Sequence, residues 1–266
     1  MNRARALSLH HLVALDATPI ELVAIAGRLG CAHVTLFTHV PEAAKGFYPC
    51  VTTADVPALQ DALAASDVTV GNIEVFSLDQ DEDPQRFAEA LAVGASIGAT
   101  RATAHLHDIA DRDVAIRRFA DFCDAASAYG ITPGLEFNGF SAVRDIVAAG
   151  DIVRAVGRGA VVLDVLHLMR NGADVDAVSQ YADLIAIAQI SDGPLSMPQD
   201  QAWHEAVRER ALPGHGEFPL AQILAQLGDH IIIEAEVPQN AARKAGVSPF
   251  ERASRVIGAL RSVLDE

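Results

Sequence analysis

The chain has 266 residues, half of them hydrophobic, which supports a sizeable core and excludes a disordered chain, a collagen-like repeat and a disulfide mini-scaffold. Lys+Arg number 20 against 35 Asp+Glu, a formal net charge of −15 with no basic block to offset it. That balance disfavours a nucleic-acid partner and suits a protein that concentrates cations. Cys31, Cys50 and Cys123 are odd in number and lack metal-ligand spacing, so they read as reduced thiols. No apolar h-region follows Met1, and no apolar run approaches the ~18 residues that span a bilayer, so a cytoplasmic protein without a membrane partner is expected.

In chain order, the short Val/Ile-rich runs predict eight strands: Ala6–Leu9, His33–Phe37, Thr69–Phe76, Ala102–His107, Thr132–Phe137, Ala160–Leu163, Leu184–Ile190 and Ile231–Val237. Most are bounded by turn residues, as strands buried on both faces should be. Helical segments lie between them. Thr18-Pro19-Ile20-Glu21 is a capping box with Pro at the first helical position. Asp83-Pro84 and Ser248-Pro249 repeat the cap-then-Pro signal. Ile116, Phe119, Ala120 and Cys123 fall on one helical face, as do Phe250, Ala253, Ile257 and Leu260. Gly30 and Gly130 sit where helix C-terminal caps are needed. Residues 191 to 214 read as a long loop with Pro194, Pro198 and Pro213, and a loop that long in a compact domain is usually functional.

Eight strand–helix alternations in this length match a (β/α)8 TIM barrel, which typically needs ~250 residues. A doubly wound open sheet fits less well, because it has fewer strands and a Gly-rich first turn. Neither GxGxxG nor GxxxxGK[ST] is present. No linker or repeat divides the chain, so one domain over residues 1–266 is expected.

In a parallel barrel the chemistry sits at the C-terminal ends of the strands. Strand 5 ends in Gly134-Leu135-Glu136-Phe137-Asn138, strand 6 in Leu163-Asp164-Val165-Leu166-His167, strand 7 in Gln189-Ile190-Ser191-Asp192, and strand 8 in Glu234-Ala235-Glu236-Val237-Pro238. An acid in an apolar strand is costly to bury unpaired. Three such strands, with a Gln on the fourth, are best explained by a shared cation.

These pieces, together with Arg210-Ala211-Leu212-Pro213-Gly214-His215-Gly216-Glu217, resemble the xylose-isomerase-like TIM-barrel superfamily of sugar isomerases and epimerases over nearly the whole chain. The Arg-x-x-Pro-Gly-x-Gly segment is the strongest single signal. The resemblance implies one divalent metal held by Glu136, Asp164, Gln189 and Glu236. On strand 8, Glu234 and Glu236 share parity, so Glu234 stays open as the alternative or as a supporting group. Many members carry His where Gln189 stands. An amide and three carboxylates make an all-oxygen site that favours Mg²⁺ or Mn²⁺ over Zn²⁺. The Gln also resembles bacterial dehydroshikimate dehydratases of the same superfamily. The resemblance places His167 beside the substrate and makes Arg210 a clamp on a substrate oxygen. His105 and His107, of equal parity on strand 4, and His10 and His11 after strand 1 are further candidates for the site, as is Glu74 as a substrate contact. Trp203 and His204 lie in the loop after strand 7 and would cover the pocket.

The resemblance implies a metal-dependent isomerase or epimerase of carbohydrate metabolism acting on a small polyhydroxy carbonyl compound through an enediolate. Glu136 and Glu236 would be its general base and acid and His167 a further catalytic group. A lyase that dehydrates dehydroshikimate or an inosose shares the first step. A non-catalytic metal-binding barrel is the third reading. A nuclease is disfavoured by the missing His-rich zinc cluster and the negative charge. The absence of a phosphate-cradling Gly loop points to an unphosphorylated substrate. Barrels of this kind often pair, so a homo-oligomer is a further expectation.

Overall fold

The computed structural model describes residues 5–79, 84–172 and 175–265. Eight parallel strands close on themselves in sequence order: β1 (Leu7–His10), β2 (His33–Phe37), β3 (Thr69–Leu78), β4 (Arg101–Leu106), β5 (Thr132–Glu136), β6 (Ala160–Asp164), β7 (Ile185–Ile190) and β8 (Ile232–Ala235), with β8 paired to β1. The eleven α-helices among the described residues are α1 (Pro19–Arg28), α2 (Val56–Ser66), α3 (Ala88–Ser96), α4 (Arg112–Ser127), α5 (Ile146–Val156), α6 (Val165–Arg170), α7 (Ala177–Tyr181), α8 (Ala202–Arg208), α9 (Leu220–Ala225), α10 (Asn240–Lys244) and α11 (Pro249–Asp265). The expected barrel is therefore present, and the expected strands are displaced by no more than two residues at either end.

Local chemistry sets several helix ends. At α1, Thr18 Oγ1 accepts from the Glu21 N–H at 3.2 Å and the Glu21 carboxylate accepts from the Thr18 N–H at 2.7 Å. Such a box contributes about 1 kcal/mol. Ser248 and Glu251 repeat it at the start of α11. Gly30 and Gly130 take φ of +66° and +71° after their helices. Pro84 opens a short 3₁₀ turn over Pro84–Phe87; its expected cap, Asp83, lies outside the described residues.

Two expectations are corrected. The buried face of α4 carries Ala115, Phe119, Phe122, Cys123 and Ala126, whereas Ile116 and Ala120 are only half-buried. The helix is turned because Phe122 packs on Phe76 and Phe87, with ring centroids 5.2 and 5.7 Å away. The stretch after β7 is not wholly loop. It contains a 3₁₀ turn over Gln199–Gln201 and then α8, which buries Glu205 and Ala206.

The main core lies between the strands' outer faces and the helices. It takes residues from every strand, among them Leu9, Val34, Ile73, Ala104, Leu135, Leu163, Ala188 and Ile233. Inside the barrel the separate apolar cluster is small, formed by Val162, Ile187 and Ile232. Above it the interior is polar: Ser8, Thr35, Asn72, Thr103, Asp164, Gln189 and Glu234 are each no more than 1% exposed. A TIM-barrel interior is usually filled by Val, Ile and Leu layers. This one is given over to hydrogen-bonding groups.

Candidate active site at the barrel mouth

The polar interior has two tiers. The lower tier is built on two buried carboxylates. Glu234 accepts from Ser8 Oγ at 2.7 Å, from Thr35 Oγ1 and from Gln189 Nε2 at 3.1 Å. Glu74 accepts from His10 Nε2 at 2.7 Å, Asn72 Nδ2 at 3.0 Å and Gln189 Nε2 at 3.2 Å. The Leu12 N–H donates to His10 Nδ1 at 3.0 Å, which fixes the ring proton on Nε2, toward Glu74. His11 behaves differently. It turns away into the 3₁₀ segment His11–Ala14 and donates through Nε2 to the Ala17 carbonyl at 3.0 Å. Burial pushes its pKa down to about 4.

The upper tier faces the mouth. His105 Nε2 lies 3.0 Å from Glu136 Oε2, and His167 Nε2 lies 3.9 Å from Glu136 Oε1 and 3.6 Å from Asp164 Oδ2. Candidate ligand atoms of Glu136, Asp164 and His167 all fall within 4.8 Å of one another. Arg210 Nη1 bridges Asp164 Oδ2 and Glu236 Oε2, each at 3.1 Å. Burial opposes the charge on Arg210, but Asp164 and Glu236 hold the guanidinium protonated well above its ordinary value. Burial lifts the Glu236 carboxyl well above the usual carboxylate range, against the pull of Arg210. Burial also lowers His167, while at His105 it is outweighed by Glu136, which raises that ring's pKa.

Local structure explains these positions. Asp164 ends β6 and caps α6, its Oδ1 accepting from the Leu166 N–H at 2.8 Å. One turn on, His167 comes up beside it. Arg210 is held by backbone pairing on both sides: Asp192 bridges to Ala211, Glu209 bridges to Gln239, and the Arg210 N–H donates to the Pro238 carbonyl at 3.1 Å. The Asp192 carboxylate anchors the segment that follows, accepting from the N–H groups of Gly193 at 2.8 Å and of Gly214 and Phe218 at 3.0 Å. At Gly216 a Cβ would approach Gly193 N to 2.5 Å, so no larger residue fits beneath that carboxylate. The Pro-Gly-x-Gly segment is thus a clamp that seats Arg210.

A cavity of about 200 Å³ stands over the upper tier. Glu74, His105, Glu136, His167, Arg210 and Glu236 line it, and His107 adds to the same wall. Both strand-4 histidines therefore face the site, with ring centroids 6.3 Å apart. Phe37, Tyr48, Phe140 and Trp203 form its apolar side. Phe140 meets Trp203 edge-on at 5.0 Å and His167 at 5.9 Å. His204 is exposed and lines no part of the cavity. Glu236 pairs with Arg210 whereas Glu234 is bonded to Ser8, Thr35 and Gln189, so the two strand-8 acids belong to different tiers.

The structure thus brings Glu136, Asp164 and His167 together and joins Glu236 to them through Arg210. Gln189 pairs in register with Asp164, yet both of its hydrogen bonds run down to Glu74 and Glu234. Gln189 Oε1 is buried without a hydrogen-bond partner, and Asp164 Oδ2 on the neighbouring strand meets Arg210 at 3.1 Å and His167 at 3.6 Å. An unpartnered amide oxygen in register with a carboxylate on the next strand is what a bound cation satisfies, so the residues fit a metal. The sequence reading missed the supporting donors Ser8, Thr35, Asn72 and Thr103. Their shared inward parity with His10, Glu74 and His105 was the available signal.

No protein-family model matches the chain, and no curated protein is significantly similar to it in sequence. Solved structures are similar over its whole length. The IolI protein with a bound zinc atom superposes with a TM-score of 0.80 at 18% identity, over 98% of each chain. A D-allulose 3-epimerase from Methylomonas sp., in complex with D-allulose, gives 0.72 at 14% identity over 98% of this chain and 96% of that one. The probable 3-DHS dehydratase AsbF from Bacillus anthracis gives 0.73 at 15% identity, over 96% and 98%. The fold is that of the xylose isomerase-like TIM barrels.

Proposed function

We propose that this xylose isomerase-like barrel is a divalent-metal-dependent isomerase or epimerase acting on a small polyhydroxy carbonyl compound. One observation carries the reading: Glu136, Asp164 and His167 present candidate ligand atoms within 4.8 Å of one another, and on the strand next to Asp164 the buried Gln189 Oε1 has no hydrogen-bond partner. Glu136, Asp164, Gln189 and Glu236 would hold the ion. Their all-oxygen character suits Mg²⁺ or Mn²⁺, with the zinc of the IolI structure as the competing identity. When bound, the ion supplies Lewis acidity toward a carbonyl and its neighbouring hydroxyl.

The side chains divide the remaining work. Glu136, oriented by His105, takes the proton from the carbon beside the carbonyl. Glu236, which lines the same cavity, returns a proton to that carbon from the other side. Arg210 and His107 bind substrate oxygens, and Glu74 binds a hydroxyl at the cavity floor. Phe140 and Trp203 give the carbon face of the substrate an apolar wall. A dehydratase is the second reading. It is favoured by Gln189 and by His167, which stands over Glu136 and Asp164 where it can protonate a departing hydroxyl.

The test is proton exchange. Protein loaded with Mn²⁺ or Mg²⁺ is incubated in D₂O with ketoses, inososes and 3-dehydroshikimate and followed by NMR. Deuterium entering a recovered or epimerised sugar is the expected result, and Glu136→Gln should abolish it. Loss of water to an enone or aromatic product would assign the dehydratase instead. Metal uptake with no exchange on any compound would leave a non-catalytic barrel, and near-wild-type exchange in Glu136→Gln would remove that residue as the base.

A further inference from the structure

A second cavity of about 190 Å³ lies beside the first, and the two share Leu12 and Val207 in their walls. Its lining includes Arg208 at the end of α8, Asn240 and Arg243 of α10 and Arg252 of α11, and no carboxylate. In a chain of net charge −15, three guanidinium groups on one small cavity need an account. Arg252 has one: it is buried and paired with Asp16. The other two do not. Arg243 donates to Asn240 Oδ1 at 2.9 Å, and Arg208 lies over the Phe47 ring with its carbon 6.0 Å from the centroid. Neither forms an ion pair with a carboxylate among the described residues. Glu209, next to Arg208 in the chain, turns its carboxylate to the Ala241 N–H at 2.7 Å instead.

A guanidinium group stays charged at all working pH values, and its planar fork matches the oxygens of phosphate. Two of them on the lining of one cavity, neither paired with a carboxylate among the described residues, offer an anion several donors at once. We propose that the Arg208–Arg243 cavity is a phosphate-binding site. The phosphate is either carried by a substrate whose reactive end lies across Leu12 and Val207 in the acidic cavity, or is a free anion. Because side chains rather than a Gly-rich loop form this site, it left no phosphate motif in the sequence. The proposal does not depend on the metal chemistry next door.

The experiment is calorimetric titration of metal-free protein with inorganic phosphate at low chloride. Saturable binding of one phosphate per chain is expected, weakened about tenfold or more by Arg208→Gln and by Arg243→Gln. Lys244→Gln, exposed on α10 and outside the cavity lining, should bind as wild type. Circular dichroism checks that each variant folds. Where one does not, phosphate should protect Arg208 and Arg243 of the wild-type protein from phenylglyoxal, read by mass spectrometry. No saturable binding, no loss in either arginine variant, an equal loss in Lys244→Gln, or no protection would each overturn the proposal. Two further arms locate the source. A ketose phosphate that binds more tightly than both phosphate and the free ketose supports a phosphorylated substrate. Phosphate affinity unchanged by saturating ketose supports a separate anion at the same site.

Discussion

Arg210 is the permanent cation that joins two acids expected to hold the metal, which makes its removal informative. In Arg210→Gln, Asp164 and Glu236 lose contacts of 3.1 Å each, while all three groups are at most 6% exposed. Breaking a buried pair of this kind costs about 3–5 kcal/mol, because the remaining charge has nowhere to go. For a chain of this size that corresponds to a fall in melting temperature of roughly 10 °C. The same change removes a positive charge that competes with a divalent ion for Asp164 and Glu236. Metal affinity should therefore rise, by about tenfold or more, so that saturating Mn²⁺ restores an extra ~1.4 kcal/mol relative to wild type. Urea denaturation in EDTA and in Mn²⁺ gives the stabilities, and titration of the Mn²⁺ electron paramagnetic resonance signal gives the affinities. A variant as stable as wild type in EDTA would refute the pairing argument. Equal or weaker Mn²⁺ binding would refute the view that ion and guanidinium share these carboxylates.

Two further predictions concern the frame of the site. Asp192→Ala strips the acceptor from three N–H groups, and should cost about 4 kcal/mol in urea denaturation and speed amide exchange over residues 211–218; a loss below about 1 kcal/mol would mean that the clamp does not depend on this carboxylate. His11 has its pKa lowered to about 4 by burial, so the unfolded chain binds that proton more readily than the folded one. Its contribution is complete above pH 6.5 and is lost progressively as the pH falls to 4, worth ~3 kcal/mol in all. The difference in stability between His11→Gln and wild type should change by that amount across this window, and a difference independent of pH would refute the assignment.

The strands were legible because parallel strands covered on both faces are short runs of Val, Ile and Leu, and eight such runs leave little freedom of architecture. Strand-end acids were legible for the same reason, since Glu136 and Asp164 interrupt apolar runs. What was not legible depends on partners distant in the chain. The burial face of α4 is set by the ring of Phe76, far back on β3. Helix α8 is short, lies just after a Pro-bounded stretch and forms where Glu205 meets Arg170 in a two-pronged ion pair at 2.6 Å. The second cavity draws Arg208, Arg243 and Arg252 from three separate elements, so no local spacing marks it.

Gln189 shows how the lower tier governs the upper one. A primary amide has two faces, one that donates and one that accepts. Beneath Gln189 lie Glu74 and Glu234, each already receiving two further hydrogen bonds from other inward-facing groups. These carboxylates can only accept, so the amide nitrogen must face them and does, at 3.2 and 3.1 Å. The carbonyl oxygen is then the atom left over, on the strand beside Asp164, buried and without a hydrogen-bond partner. Turning the amide over would set its oxygen against two acids and abandon two buried hydrogen bonds, a cost of several kcal/mol. The acids deep in the barrel therefore need no contact with a ligand to matter. By fixing which end of Gln189 points where, they convert an ambiguous side chain into an oxygen donor, and this accounts for a barrel interior filled with polar groups where apolar layers would pack more simply.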